Sequence, residues 1–126
     1  MLDAEKRALI ERYVRAYNDF NVDAMLATLA PDIRFENYAG EQLTVDSDGI
    51  DAFRRLAEQA AAHFRQREQR LLSVSIGPKA ALTRVAYRGV LAGPSGDYRS
   101  GTVIELEGTT EFTFASGLIA KIVDCS

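Results

Sequence analysis

Between Ile10 and Asn37 the hydrophobic period changes from helical to extended, with two breaks on the way, and few folds accept that order. Leu9, Ile10, Tyr13, Val14 and Tyr17 recur at helical spacing, which predicts a helix from roughly Asp3 to Asn18 with one buried stripe. Asn18-Asp19-Phe20-Asn21 breaks it. Asn21 then reads as the cap of a second helix, with Asp23 in its first turn and Met25, Leu26 and Leu29 facing inward until Pro31-Asp32 stops it. Ile33 to Asn37 follows as a strand, with Ile33, Phe35 and Asn37 on one face and Arg34 and Glu36 on the other. Either Asn37 points into the interior beside the apolar pair, or the strand has already ended.

A loop rich in Asp, Ser and Gly comes next, and Asp48 reads as the cap of a helix from about Gly49 to Gln66. Its buried stripe is Ile50, Phe53, Leu56, Ala57, Ala60 and Phe64. Leu71 to Ile76, Ala81 to Leu91, Thr102 to Phe114 and Leu118 to Val123 read as strands, separated by Gly77-Pro78, Gly93-Pro94-Ser95-Gly96 and Ser116-Gly117. In the third, Ile104, Leu106, Phe112 and Phe114 alternate with Glu105, Glu107, Glu111 and Thr113, giving one dry and one wet face, and Gly108 predicts a bulge or bend. Helices first and a long-stranded antiparallel sheet after them make a segregated α+β layer pair. The 126 residues fit one domain, 1–126, without repeats or an interdomain linker.

Fifteen Lys and Arg against 18 Asp and Glu supply no electrostatic reason to bind nucleic acid or an anionic membrane. The single cysteine, Cys125, has no internal disulfide partner, and the first residues are charged where a secretory signal is apolar. A cytoplasmic protein is the expectation. The acidic stripe Glu105, Glu107 and Glu111 is spread along one strand surface, so a solvated or cross-strand paired face is expected and no metal. Gly93-Pro94-Ser95-Gly96 lacks the strand-to-helix setting of a phosphate-binding turn, and no cofactor is expected.

Arg12-Tyr13-Val14, Val22-Asp23-Ala24 and Pro31-Asp32-Ile33-Arg34-Phe35-Glu36-Asn37 resemble the opening of the nuclear-transport-factor-2-like superfamily. Phe112-x-Phe114 with Gly117-x-Ile119 is similar to its closing hairpin. The resemblance implies a cone-shaped α+β fold, with N-terminal helices packed on a curved antiparallel sheet around a pocket. It covers SnoaL-like polyketide cyclases, ketosteroid isomerases and limonene-epoxide hydrolases, so it does not by itself assign chemistry.

In the isomerase pattern Tyr13 matches the oxyanion tyrosine, but the base falls on Asn37, whose amide oxygen is too weak to accept a proton. The second oxyanion donor falls near Thr110. In the epoxide-hydrolase pattern Asn37, Arg84 and Asp124 match an Asn, an Arg and one Asp, while Phe35 and Ala86 replace a Tyr and the second Asp. The SnoaL-like pattern centres on one Asp acting as acid and base, which Asp124 could supply.

Each candidate also has a structural reading. Tyr13 and Tyr17 sit on a buried helical stripe, where tyrosines commonly serve as core; Asn37 could satisfy strand-end backbone groups. Arg84 interrupts an apolar run and needs water or a carboxylate, and Asp124 could be that carboxylate in a merely structural pair. His63, the one histidine, lies on the shoulder of its helix stripe; Asp46 and Asp48 read chiefly as caps.

The leading expectation is a pocket protein for a small apolar molecule with a polar oxygen, acting as an isomerase, cyclase or hydrolase. Phe35, Phe53, Leu56, Phe64, Phe112 and Phe114 are expected to line the cavity. Tyr13, Asn37, Arg84, Thr110 and Asp124 are expected to orient the ligand, Asp124 as base or acid and Tyr13 as oxyanion donor. The alternative is a noncatalytic binding or interaction module. A homodimer through the sheet is expected under either, with Val85, Tyr87 and Leu91 as a dry face.

Overall fold

The computed structural model describes residues 1–126. Helix α1 runs Asp3–Asn18, and the Glu5 side chain accepts from the Leu2 N–H at 2.8 Å to close its first turn. Leu9, Ile10, Tyr13, Val14 and Ala16 form its buried stripe, as the periodicity predicts. Lys6 is buried too, because its ammonium donates to the carbonyls of Gly77 and Pro78, each at 2.9 Å. Helix α2, Val22–Leu26, is capped by Asn21, whose side chain accepts from the Ala24 N–H.

Strand β1 begins earlier than Pro31 suggests and spans Leu29–Ala39. Residues 42–48, read from sequence as loop, form β2, Gln42–Asp48, an antiparallel edge strand on β1. Arg34 on β1 explains the pairing: it reaches Asp46, Asp48 at 3.0 Å and Glu36 at 3.2 Å on one face. Asp48 therefore holds Arg34, and the N-cap of α3 is Gly49 with φ of 91° and no side-chain cap.

Helix α3, Ile50–His63, stops three residues before its expected end, and β3 starts immediately at Phe64 and runs to Ile76. Gln, Glu and Arg between 65 and 70 are good helix formers, but intrinsic propensity is a weak force and pairing with β4 along the whole strand overrides it. Strands β4 (Ala80–Leu91), β5 (Val103–Ala115) and β6 (Leu118–Cys125) complete a curved, unclosed sheet in the order β2-β1-β6-β5-β4-β3. Only β1 and β6 run parallel. Ser116 and Gly117, both with positive φ, turn the β5–β6 hairpin.

Gly108 pairs with Val85 in unbroken register, so it is no bulge. A Cβ there would lie well inside van der Waals contact distance of the Cys125 carbonyl oxygen and 3.2 Å from Ser126 Cβ. The glycine admits the end of β6.

The three helices cover one face of the sheet, where Ile33, Phe112, Ile119 and Ile122 are fully buried beneath α1. Val85, Tyr87 and Leu91 belong to this concave face; Val85 and Leu91 are buried, so they form no exposed dimer surface. The convex face carries Arg84–Glu107 and Arg88–Glu105 pairs instead. No helix is long and apolar enough to cross a membrane.

Candidate functional site

The register of three neighbouring strands sets the centre of the site. Asp124 on β6 lies opposite Thr110 of β5 on one side and beside Asn37 of β1 on the other, so all three point to the concave face. Thr83 Oγ1 on β4 donates to the Thr110 carbonyl at 3.0 Å, and Thr110 Oγ1 donates to Asp124 Oδ1 at 2.7 Å. This chain across three strands fixes the carboxyl. Burial raises Asp124 from its ordinary 3.8 to about 6, and the Thr110 hydrogen bond opposes that rise without cancelling it.

Between the sheet and the helices lies a cavity of two joined chambers, about 430 Å³ and about 690 Å³, which share Tyr17, Asn37, Val45, His63, Phe64, Gln69 and Asp124 as walls. The smaller lies under α1 and α3 and adds Tyr13, Phe35, Phe53, Leu56 and Arg67. The larger opens along β4 and β5 past Tyr87 and Thr110. Phe35 meets Phe53 edge-on at 5.6 Å, and Phe64 meets Tyr87 at 5.9 Å, so interlocked rings hold the walls. Gly89 leaves room for that second pair, since a Cβ there would come within 2.8 Å of the Phe64 ring and the Tyr87 hydroxyl.

Tyr13 comes down from α1 onto Phe112, ring centroids 5.8 Å apart. Burial, and then the nearby charge of Asp124, hold its phenol well above the ordinary range, so Tyr13 stays neutral and can donate a hydrogen bond. Burial and the neighbouring Tyr17 raise Tyr87 likewise.

The sequence-derived set divides. Asp124, Tyr13, Tyr17, Asn37, Thr110, Phe35, Phe53, Leu56, Phe64 and His63 all border the cavity. Asn37 also does structural work: its Nδ2 donates to Thr44 Oγ1 at 2.8 Å, and that hydroxyl donates to the Asn37 carbonyl, at the irregular point of the β1–β2 pairing. Phe112 does not line the cavity; at 1 % exposure it is core under Tyr13, and Phe114 packs against the same core.

Arg84 is the main correction. Its side chain is 59 % exposed on the convex face and lies 3.8 Å from Glu107, because it alternates with the inward Thr83 and Val85. It makes no pair with Asp124, and Ala86 shares its outward parity. The Asp-Arg-Asp arrangement of the epoxide-hydrolase pattern is not assembled here.

Sequence reasoning passed over Arg67 and Gln69, and it gave Tyr87 to a dimer face where the structure makes it a cavity wall. Asn18 and Gln69 exchange two hydrogen bonds, Nδ2 to the Gln69 carbonyl at 3.0 Å and the Gln69 N–H to Oδ1 at 2.7 Å. That clamp ties the end of α1 to β3 and turns Arg67 and Gln69 inward. No three His, Cys, Asp or Glu side chains converge anywhere in the chain as metal ligands would.

Three helices over a curved, unclosed six-stranded sheet make this the cystatin-like fold, which solved structures of cystatin-fold and nuclear-transport-factor-2-like proteins share. Residues 10–122 match the SnoaL-like domain family, and the chain belongs to it. A candidate polyketide cyclase from Xanthomonas campestris pv. campestris superposes with a TM-score of 0.85 at 20 % identity, over 98 % of this chain and 90 % of that one. AclR, a candidate hydroxylase from Streptomyces galilaeus, gives 0.76 at 19 % identity, over 96 % and 87 %. An epoxide hydrolase of the limonene-epoxide-hydrolase-like type from M. tuberculosis gives 0.77 at 15 %, over 97 % and 82 %. At these identities the likeness is one of fold. No curated protein matches the chain.

Proposed function

We propose that this protein is a SnoaL-like enzyme that moves a proton on a small, largely apolar carbonyl compound, with Asp124 as base and then acid. The observation that carries this reading is the Asp124 carboxyl at the cavity wall, raised to about 6, where it is mostly ionised at neutral pH yet basic enough to take a proton.

The carboxylate would remove a proton from the carbon next to the carbonyl. The C–H electron pair would move onto the carbonyl oxygen, and the neutral Tyr13 hydroxyl would donate a hydrogen bond to the enolate. The protonated Asp124 would return its proton, to carbon in an isomerisation or to the new alkoxide in an aldol ring closure. Phe35, Phe53 and Leu56 would hold the apolar frame, and Tyr17, Asn37 and His63 would border the reacting end. Self-association through the sheet belongs to the same proposal, with the convex face as the surface offered.

The test is a thermal-shift screen of steroid enones, polyketide intermediates and terpene epoxides. Proton–deuterium exchange at the α carbon of each stabilising ligand then follows by NMR in the parent and in Asp124→Asn. Exchange in the parent that falls by roughly 10²–10⁴-fold in the variant is the expected result. Equal exchange in both removes Asp124 from the chemistry. Ligands that bind with no exchange in either protein favour the noncatalytic binding module.

A further inference from the structure

Arg67 is the one Lys or Arg bordering either chamber. Its residue is 6 % exposed. Nε donates to the Tyr17 carbonyl at 3.0 Å, and the guanidinium carbon lies 3.7 Å from the centre of the Tyr17 ring and 4.6 Å from that of Phe20. Nη1 and Nη2 are buried and make no hydrogen bond to any protein group. No carboxylate lies within ion-pair distance: the acidic partners in this chain serve Lys6, Arg34, Arg54, Arg84, Arg88 and Lys121, and Asp124 is held by Thr110.

This arrangement is costly for the protein alone, since a buried guanidinium keeps its charge and prefers a partner for each N–H. Rings contact the cation, and the Nη edge, the fork that grips planar oxyanions two bonds at a time, is left over. We infer that Arg67 is a recognition site for a ligand carboxylate, so that the molecule entering the cavity is an apolar or aromatic carboxylic acid. One fixed positive charge in a chamber that already carries the Asp124 carboxyl on its wall matches a monoanion better than a phosphate dianion, which would bring a second charge without a second Lys or Arg to meet it.

The inference deepens the proposed function by naming a substrate class and rests on the same cavity being the ligand site. It does not use the proton chemistry of Asp124. With the carboxylate anchored at Arg67, the remainder of the ligand extends along Tyr13, Tyr17 and Phe53 toward Asp124, which also borders that chamber.

The test uses benzoate and 2-naphthoate against their methyl esters, titrated calorimetrically at about pH 8, well above the carboxylic-acid range. The parent should bind at least one acid about tenfold or more tighter than its ester, as a charge-assisted pair provides. Arg67→Met should erase that preference while ester binding survives. Arg67→Lys, which keeps the charge but not the fork, should retain only part of it. Circular dichroism and melting curves of both variants establish that they fold; if Arg67→Met does not, Arg67→Lys carries the comparison alone. Lack of acid preference in the parent, weak binding of both forms included, overturns the inference. So does full preference in Arg67→Met or Arg67→Lys. Acid preference without Asp124-dependent exchange would sink the proton-transfer reading and leave this one standing; the reverse result would do the opposite.

Discussion

Thr110 donates its hydroxyl to Asp124 across the β5–β6 ladder, Oγ1 to Oδ1 at 2.7 Å, and this bond alone opposes the effect of burial on the carboxyl. Thr110→Val should therefore raise the Asp124 titration further above 6, by about one unit if the bond is of ordinary charge-assisted strength. In the exchange assay the parent rate should fall as pH drops through about 6. The midpoint of that fall should move upward in the variant. An unchanged midpoint would mean that another group governs the profile.

The same carboxyl makes stability depend on pH. Its folded pKa of about 6 exceeds its ordinary 3.8, so between those values the folded chain binds more protons than the unfolded one. Stability then falls as pH rises through that window, by at most about 2–3 kcal/mol. Asp124→Asn keeps an acceptor for Thr110 and has no charge to bury. Its stability relative to the parent should grow between about pH 4 and 7, as measured by urea unfolding at several pH values.

Gly108→Ala would press a methyl group into the backbone carbonyl of Cys125, which has little freedom to yield. The expected cost is about 1–3 kcal/mol, the range for overpacking, with displacement of the last residues of β6. Asp124 is one residue away, so Asp124-dependent exchange should fall together with the melting temperature. Retained exchange at a lowered melting temperature would show that the end of β6 shifts without moving the acid.

Arg84→Gln should do very little. The side chain is largely exposed and its pair with Glu107 is long, so a stability change within about 0.5 kcal/mol is expected, with no change in exchange or ligand binding. A large loss of exchange would return Arg84 to the site.

Tyr13→Phe removes the proposed oxyanion donor and keeps the edge-on contact with Phe112. Exchange should fall by roughly 10–10³-fold, with ligand affinity and melting temperature near those of the parent. An equal fall in affinity would reassign Tyr13 from stabilising the enolate to holding the ground state.

Much of the fold is legible in short-range pattern. Leu9, Ile10, Tyr13 and Val14 announce a buried helical stripe, and the alternation around Glu105 and Glu107 announces which side of β5 is wet, because burial on one face imposes the period of the backbone. Residues 42–48 are not legible that way: Leu43 and Val45 are too short an alternation to mark an exposed edge strand, and only Arg34 across the ladder gives its aspartates a role. The expected helix ends at about Gln66 and the next expected strand starts at Leu71, so residues 67–70 fall between them, yet this run belongs to β3 and supplies Arg67 to the cavity. No signal within that run separates the buried arginine from its exposed neighbours.

By itself, then, the amino-acid sequence determined the order of the helices and of every strand but β2, the main apolar faces, and the absence of a base at Asn37, since these follow from residue type and local period. Tertiary structure decided which polar groups meet. Strand register placed Asp124 against Thr110 and sent Arg84 outward, and the Asn18–Gln69 clamp brought Arg67 under Tyr17. Such meetings join residues far apart in the chain, and a hydrogen bond or a desolvated charge depends on ångström distances that local sequence does not encode.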